Sequence, residues 1–304
     1  MKNAVKVLIF VVVVVLIAAG SVFAYIGINK PDDFSYADGA KNDTVEVNEY
    51  NGNDKEIVIP EKSKGKVITS VAAETFLRSD IISVELPDTV TVIEEKAFYE
   101  CEDLVSVKIS ENITEIGEAA FINCKNLKSI RLPASLEKIG SAAFYGCENL
   151  TFEVAEGADF VFEDGVLYNK AKTDVIWVSN QKDLSKFSFP ASVKSFQPYA
   201  LAGHQELVSF TIPDGVTYIP DSMFLYCQKL ETVIIPDSVK KIGATVFMGD
   251  DSLKEITVPK SVEEIGKNNF PVKSASDEFV LKVYENSPAF FYAQENDINF
   301  ELIK

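Results

Sequence analysis

The chain has 304 residues and a net charge of −17; residues 1–30 hold three Lys and no acid, so the remainder carries 26 basic against 46 acidic residues, or −20. A body this acidic, with no basic stripe, repels nucleic acid and anionic lipid. Neutral, cationic or metal-bridged partners fit it better, although acidity also serves plain solubility.

Lys2 and Lys6 precede a run from Val7 to Ile28 without a charged residue. As a helix it would measure about 33 Å, enough to cross a bilayer core, with the basic end in the cytoplasm. Two readings stand at this point: an uncleaved anchor, or a signal peptide cut after Val22-Phe23-Ala24. Either places the rest of the chain outside the cell. Residues 31–48, rich in Asp, Asn and Gly, read as a flexible acidic stalk.

From there one pattern recurs. It is written most fully as Leu127-x-x-Ile130-x-Leu132-Pro133-x-x-Leu136-x-x-Ile139-Gly140-x-x-Ala143-Phe144-x-x-Cys147, and full copies begin at Ile81, Leu104, Leu127, Leu184, Leu207, Leu230 and Leu253. Within each unbroken run the period is 23 residues. A unit this short buries nothing alone, so its apolar residues become a core only by stacking on the next copy. Each copy predicts a short strand such as Ile130-Arg131-Leu132, a Pro turn, a second turn at Ile-Gly, and a helical or 3₁₀ turn over Ser141 to Cys147. Stacked about 4.8 Å apart, the first strands would form one continuous parallel sheet.

Along the chain this divides the molecule into a capping repeat at 49–80, repeats one to three at 81–149, an insertion at 150–183, repeats four to seven at 184–270, and a closing unit at 271–304. Across the insertion the register jumps by 34 rather than 23. Phe160-Val161-Phe162, Val166-Leu167-Tyr168 and Val175-Ile176-Trp177-Val178, separated by turn residues, predict a β-meander there. In the closing unit Phe279 to Tyr284 alternates like a strand, Ser287-Pro288 opens a helix to about Asn296, and Ile298 to Ile303 returns as a strand. The fold class is a β-rich repeat solenoid with short helical turns, an N-terminal hydrophobic helix and an α/β C-terminal cap.

The recurring Pro, Ile-Gly and Ala-Phe-x-x-Cys slots over residues 56 to 270 resemble the BspA-type leucine-rich repeat of bacterial surface proteins. That resemblance implies a curved right-handed solenoid, extracellular exposure, and adhesion or ligand binding to an extracellular protein or glycan. A structural component that binds its own wall or self-associates is the alternative.

Residues that could carry chemistry are few. Cys101, Cys124, Cys147 and Cys227 share one repeat slot, so they read as a column of buried free thiols; a linear ladder cannot close a tetrahedral metal site. His204 falls in the same slot and is the only histidine. Asp32-Asp33 and Asp250-Asp251 lack the ligand spacing of a calcium loop, and no Gly-rich phosphate loop occurs. No catalytic residue, metal or cofactor is therefore assigned, and an enzyme ranks third. Binding is assigned to the outward positions of the concave sheet: Glu85, Lys108, Ser129, Arg131, Ser188, Thr211, Ile234 and Thr257, with Arg131 as the obvious anchor. Tyr168 and Trp177 are the candidates within the insertion. A column after the Phe slot (Tyr99, Ile122, Tyr145, Leu225, Met248) packs beneath neighbouring coils or marks an exposed stripe.

Overall fold

Each copy of the repeat makes one coil of a solenoid. The computed structural model describes residues 13–18, 21–26, 33–41, 43–271 and 278–304, with side chains from residue 33 onward. In the regular coils the inward residues of the first strand are buried and the flanking ones exposed, as in Ser129–Leu132, or half-buried, as in Ser83–Glu85. The Pro then turns the chain; at the one copy without it, the buried Ser110 hydroxyl accepts the Asn112 N–H instead, at 2.9 Å.

The first strands do not form one sheet. Glu56–Val58, Ser83–Glu85, Ser106–Lys108, Ser129–Leu132 and Thr151–Val154 make one five-stranded sheet. Ser209–Thr211, Thr232–Ile234, Glu255–Thr257, Val280–Tyr284 and Phe300–Ile303 make another. The strand expected around Lys186 to Ser188 is absent. Its inward slots hold Phe187 and Phe189, where other copies carry at least one aliphatic residue. The two rings meet edge to face at 5.0 Å, and Phe189 also contacts Phe196 and Phe210. Rings packed that way displace the backbone from the ladder.

A second rail was not foreseen. Val92–Ile93, Glu115–Ile116 and Lys138–Ile139 pair in parallel, as do Tyr218–Ile219, Lys241–Ile242 and Glu264–Ile265. Here the recurring glycine has its reason. A Cβ on Gly117 would lie 2.6 Å from both the Glu94 carbonyl carbon and the Glu95 nitrogen of the preceding coil. Backbone cannot yield as a side-chain tip can. Gly117→Ala is expected to destabilise the fold by about 2–3 kcal/mol, seen as a lowered denaturation midpoint; an unchanged midpoint would mean the coils separate freely.

The outer segment is not helical. It is a pair of tight turns with residues in the left-handed region at fixed places, among them Lys96, Glu100, Ala119, Asn123, Ala142 and Gly146. This alternation aims N–H groups at the next coil: Lys96, Phe98 and Glu100 donate to the carbonyls of Glu118, Ala120 and Ile122 at 2.9, 2.8 and 2.7 Å. The coil-to-coil bonds offset the cost of non-glycine residues at positive φ. Inside, Phe76, Phe98, Phe121 and Phe144 stack at 5.1, 5.0 and 5.8 Å, and Phe224, Phe247, Phe270 and Phe279 at 5.6, 5.5 and 6.0 Å.

The insertion replaces a coil rather than bulging from one. Phe160–Glu163, Val166–Asn169 and Asp174–Val178 form the expected meander, whose last strand pairs in parallel with Ser195–Phe196 of the next coil. Leu167, Ile176 and Trp177 join the core of the first half, while Val166, Tyr168, Val175 and Val178 join that of the second. A strand buried on both faces reads as a continuous apolar run, which Val175-Ile176-Trp177-Val178 is.

The ends also differ from the sequence reading. Residues 34–50 are no stalk: Phe34–Asp38 and Thr44–Tyr50 form a hairpin whose second strand pairs in parallel with Lys66–Val71. Alternation at Val45-Glu46-Val47 with the aromatic Phe34 supplies an apolar face that covers the first coil. The helix expected over residues 7–28 is not formed where that segment is described, since Val13–Ala18 and Ser21–Ile26 pair as antiparallel strands. Its β-branched residues favour extended backbone. The remainder of residues 1–30 lies outside the described residues, and with it the expected anchor or signal-peptide segment in part. Among the described residues no helix is long and apolar enough to cross a membrane. At the other end Val280–Tyr284, Pro288–Glu295 and Phe300–Ile303 are strand, helix and strand, and the Ser287 hydroxyl caps the helix by accepting the Phe290 N–H at 3.2 Å.

Candidate functional site

The Cys column is buried and unbridged. Each thiol points back one coil and donates to a carbonyl: Cys101 to Phe76 at 2.9 Å, Cys124 to Phe98 at 3.1 Å, Cys147 to Phe121 at 3.0 Å and Cys227 to Leu201 at 3.2 Å. Burial pushes the Cys101 and Cys227 thiols up, the opposite of what a nucleophile requires. His204, in the same column, is 1% exposed and burial holds its pKa below the ordinary histidine value. Asp250 closes the column. It is 1% exposed, and burial pushes its carboxyl up to about 8 even though one oxygen accepts the Cys227 N–H at 2.8 Å. Among the described residues no group of three or more His, Cys, Asp or Glu is placed to hold a metal.

The sheet face divides into two unlike halves. In the first, the charges are spent on each other. Lys108 pairs with Glu85, and Arg131 pairs with Glu111 at 2.9 Å and with Glu153. The anchor expected at Arg131 is therefore a bridge between neighbouring coils. Ser129 sits exposed beside it. Because these pairs are solvent-exposed, replacing Lys108 and Arg131 by Ala is expected to shift the melting temperature little and leave ligand binding unchanged. A binding assay on that double variant checks it, and a lost ligand would return the site to this half.

The second half carries its charges away from the break, where Glu255 pairs with Lys282 at 2.7 Å, and is uncharged at the outward Ser209, Thr211, Thr232 and Ile234. Thr211 lies beside Ile234 in register, Thr257 follows on the next strand, and Ile234 is 62% exposed, the highest among the exposed large apolar side chains. Where the two sheets part, a crevice of about 330 Å³ opens. One wall is Leu184, Phe187 and Phe189; the other is Phe210, Thr211 and Pro213. Ser185, Ser188 and Ser209 add hydroxyls. Ser188, Thr211, Ile234 and Thr257 thus come together on one surface, apart from Glu85, Lys108, Ser129 and Arg131. Tyr168 and Trp177 are not on it. They are 2% and 6% exposed, and the indole N–H donates to the Phe144 carbonyl at 3.1 Å, so neither is a contact residue. In the column after the Phe slot, Met248 is exposed while Tyr99, Ile122, Tyr145 and Leu225 are half-buried, as packing beneath neighbouring coils requires.

The crevice was missed in the sequence, yet it leaves a signal there. Copy four reads Phe187-x-Phe189 at the two inward positions and is the only copy with an aromatic at both.

Comparison with known proteins agrees with this geometry. A family profile described as BspA type leucine rich repeat region matches residues 55–161 and 178–292, in 6 copies. The chain is similar in fold to the pneumococcal vaccine antigen PcpA (19% identity, TM-score 0.56, covering 91% of this chain and 99% of that one). It is also similar to a leucine-rich repeat protein from Eubacterium ventriosum (22% identity, TM-score 0.58, covering 80% and 74%). A Treponema pallidum leucine-rich repeat protein is 25% identical over 74% of this chain and 90% of its own, at a TM-score of 0.45. No curated protein matches in sequence.

Proposed function

The chain belongs to the BspA-type leucine-rich repeat family, and on that premise we propose that it is a non-enzymatic binding module, displayed outside the cell, that engages an extracellular protein or glycan. The observation that carries this reading is the uncharged patch of Thr211, Thr232 and Ile234 beside the aromatic-walled crevice. An exposed Ile234 among Thr side chains, next to an open crevice, is what a recognition surface needs and a purely structural face does not. The absence of an enzyme role is supported by chemistry: the thiols and the imidazole are sealed in the core column. Display rests on the charge-free residues 7–28 behind Lys2 and Lys6, which we propose hold the chain at the membrane. Strands with free edges are not tolerated in hydrocarbon, so within a bilayer this segment would convert to a helix. The N-terminal sequence of the mature protein separates this from a cleaved signal peptide.

The test is binding of the full-length chain in detergent to matrix proteins, mucin-type glycans and bacterial wall fractions, beside an Ile234→Asp/Thr257→Asp variant. Saturable binding to a host component that the variant loses supports the module. Retention of wall fractions alone, equal in both proteins, favours the structural envelope component instead.

A further inference from the structure

Ser209–Thr211 is a terminal strand of its sheet: it is bonded to Thr232–Ile234 on one side, and its other edge faces the crevice. At seven other strand entries in this rail the residue reaches back one coil. Ser83 donates to the Lys55 carbonyl at 3.1 Å, Val105 to Ile82 at 2.8 Å, Lys128 to Val105 at 3.2 Å and Thr151 to Lys128 at 3.0 Å. Beyond the break Glu231 donates to Val208 at 2.8 Å, Lys254 to Glu231 at 3.1 Å and Val280 to Lys254 at 2.9 Å. Among the described residues, Val208 and Ser209 make no such bond. One strand of the repeat is missing from the ladder, and the chain that should supply it, Leu184 to Phe189, lines the crevice in turns and irregular backbone.

We infer that this crevice is a docking site for an extended polypeptide segment, which adds to the free edge of Ser209–Thr211 as the missing strand and seats an apolar side chain on Leu184, Phe187 and Phe189. The occupant follows from what the edge offers. A strand edge presents main-chain donors and acceptors at the repeat of another extended backbone, about 6.6–6.8 Å, which a peptide matches and a sugar chain does not. The volume of about 330 Å³ holds one or two side chains. Ser188, Ser209 and Thr211 leave the rim polar enough for a segment that alternates apolar and small polar residues. The body carries −20, which favours basic over acidic residues in the approaching segment. The inference deepens the binding-module reading and rests on it.

Selection of a display library of short unconstrained peptides on the full-length chain tests it. The selected peptides are then measured by fluorescence polarisation on the native chain, on Ser209→Pro and on Leu184→Asp. Proline at 209 removes a donor that faces the free edge and takes part in no backward bond. The expected result is a peptide family with alternating apolar residues that binds roughly tenfold weaker to Ser209→Pro, the upper end of what one lost main-chain hydrogen bond gives. Leu184→Asp should weaken it as well. N-methylating the peptide's alternate amides should abolish binding in one frame and spare it in the other. If Ser209→Pro does not fold, the methylation series on the native chain decides alone. Peptides indifferent to methylation, peptides that bind all three chains equally, or no enriched peptide would each overturn the crevice proposal. A ligand from the wall and matrix panel that binds elsewhere would still leave the binding-module reading standing.

Discussion

Replacing Asp250 by Cys is expected to raise the stability of the folded chain near neutral pH by about 3–4 kcal/mol, an unusual sign for a core substitution. The slot is built for a thiol. In the four coils that carry Cys, Sγ donates to a carbonyl one coil back and needs no charge. Asp250 occupies that slot with a carboxyl that burial has pushed up to about 8. Its second oxygen, Oδ2, has no hydrogen-bond partner. In the unfolded chain the same group ionises near pH 3.9. Between those values the unfolded state binds fewer protons than the folded one, so stability falls as pH rises, by about 1.4 kcal/mol per unit. The contribution is fully present below the unfolded pKa and lost on approaching the folded one. Losing the bond to the Cys227 N–H costs part of the gain, because that N–H also reaches the Phe224 carbonyl at 3.0 Å. Denaturation of both proteins across pH 4 to 8 isolates the effect: their difference should close toward the acid end. A gap that stays constant with pH would mean Asp250 titrates normally and the substitution acts by packing alone.

The fold was legible wherever the repeat imposes it. Leucine, Phe and Cys slots predict inward positions because stacking gives each slot one environment, and Phe121 and Cys124 sit where their copies require. What the repeat does not impose was harder to read. Two-residue strands such as Glu115–Ile116 are too short for a period of two to register. Ala119 and Ala142 adopt positive φ with nothing in their chemistry to announce it, since coil-to-coil bonds select that conformation. Val45 and Val47 are isolated apolar residues in an acidic stretch, and their partner strand begins only at Lys66. The site failed for a related reason. Arg131 reads as an anchor from its type, but only three-dimensional register reveals Glu111 and Glu153 beside it. Trp177 reads as specificity in an insertion until that insertion proves to be a coil. Phe187 and Phe189 could have been noticed, because two aromatics cannot take the place of two aliphatics in a stacked strand.

Truncation after residue 277 is expected to have the largest effect of all, making the chain aggregate in detergent under conditions where the full chain does not. The removed segment buries Phe279, Leu281, Val283, Ala289, Ala293 and Ile298. Its larger aliphatic and aromatic side chains each contribute about 1.5–3 kcal/mol on burial. It also covers what lies beneath. Phe270 loses its stacked partner Phe279 at 6.0 Å and its edge contact with Tyr292 at 5.9 Å, while the Asn269 N–H loses the Tyr292 hydroxyl at 3.1 Å. Glu255–Thr257 becomes an open edge once Val280–Tyr284 is gone. A solenoid end stripped of its cover exposes both apolar core and unpaired strand, the two features that drive association. The full chain and the truncated one are compared by size-exclusion chromatography with light scattering. Because the truncated chain would be hard to purify if the expectation holds, Ala289→Glu/Ala293→Glu is the companion variant. It forces charge against the helix seat without shortening the chain, and should lower the melting temperature in the same direction. A truncated chain that remains monomeric, with a melting temperature equal to the full chain's, would show that the strand, helix and strand after residue 278 close nothing.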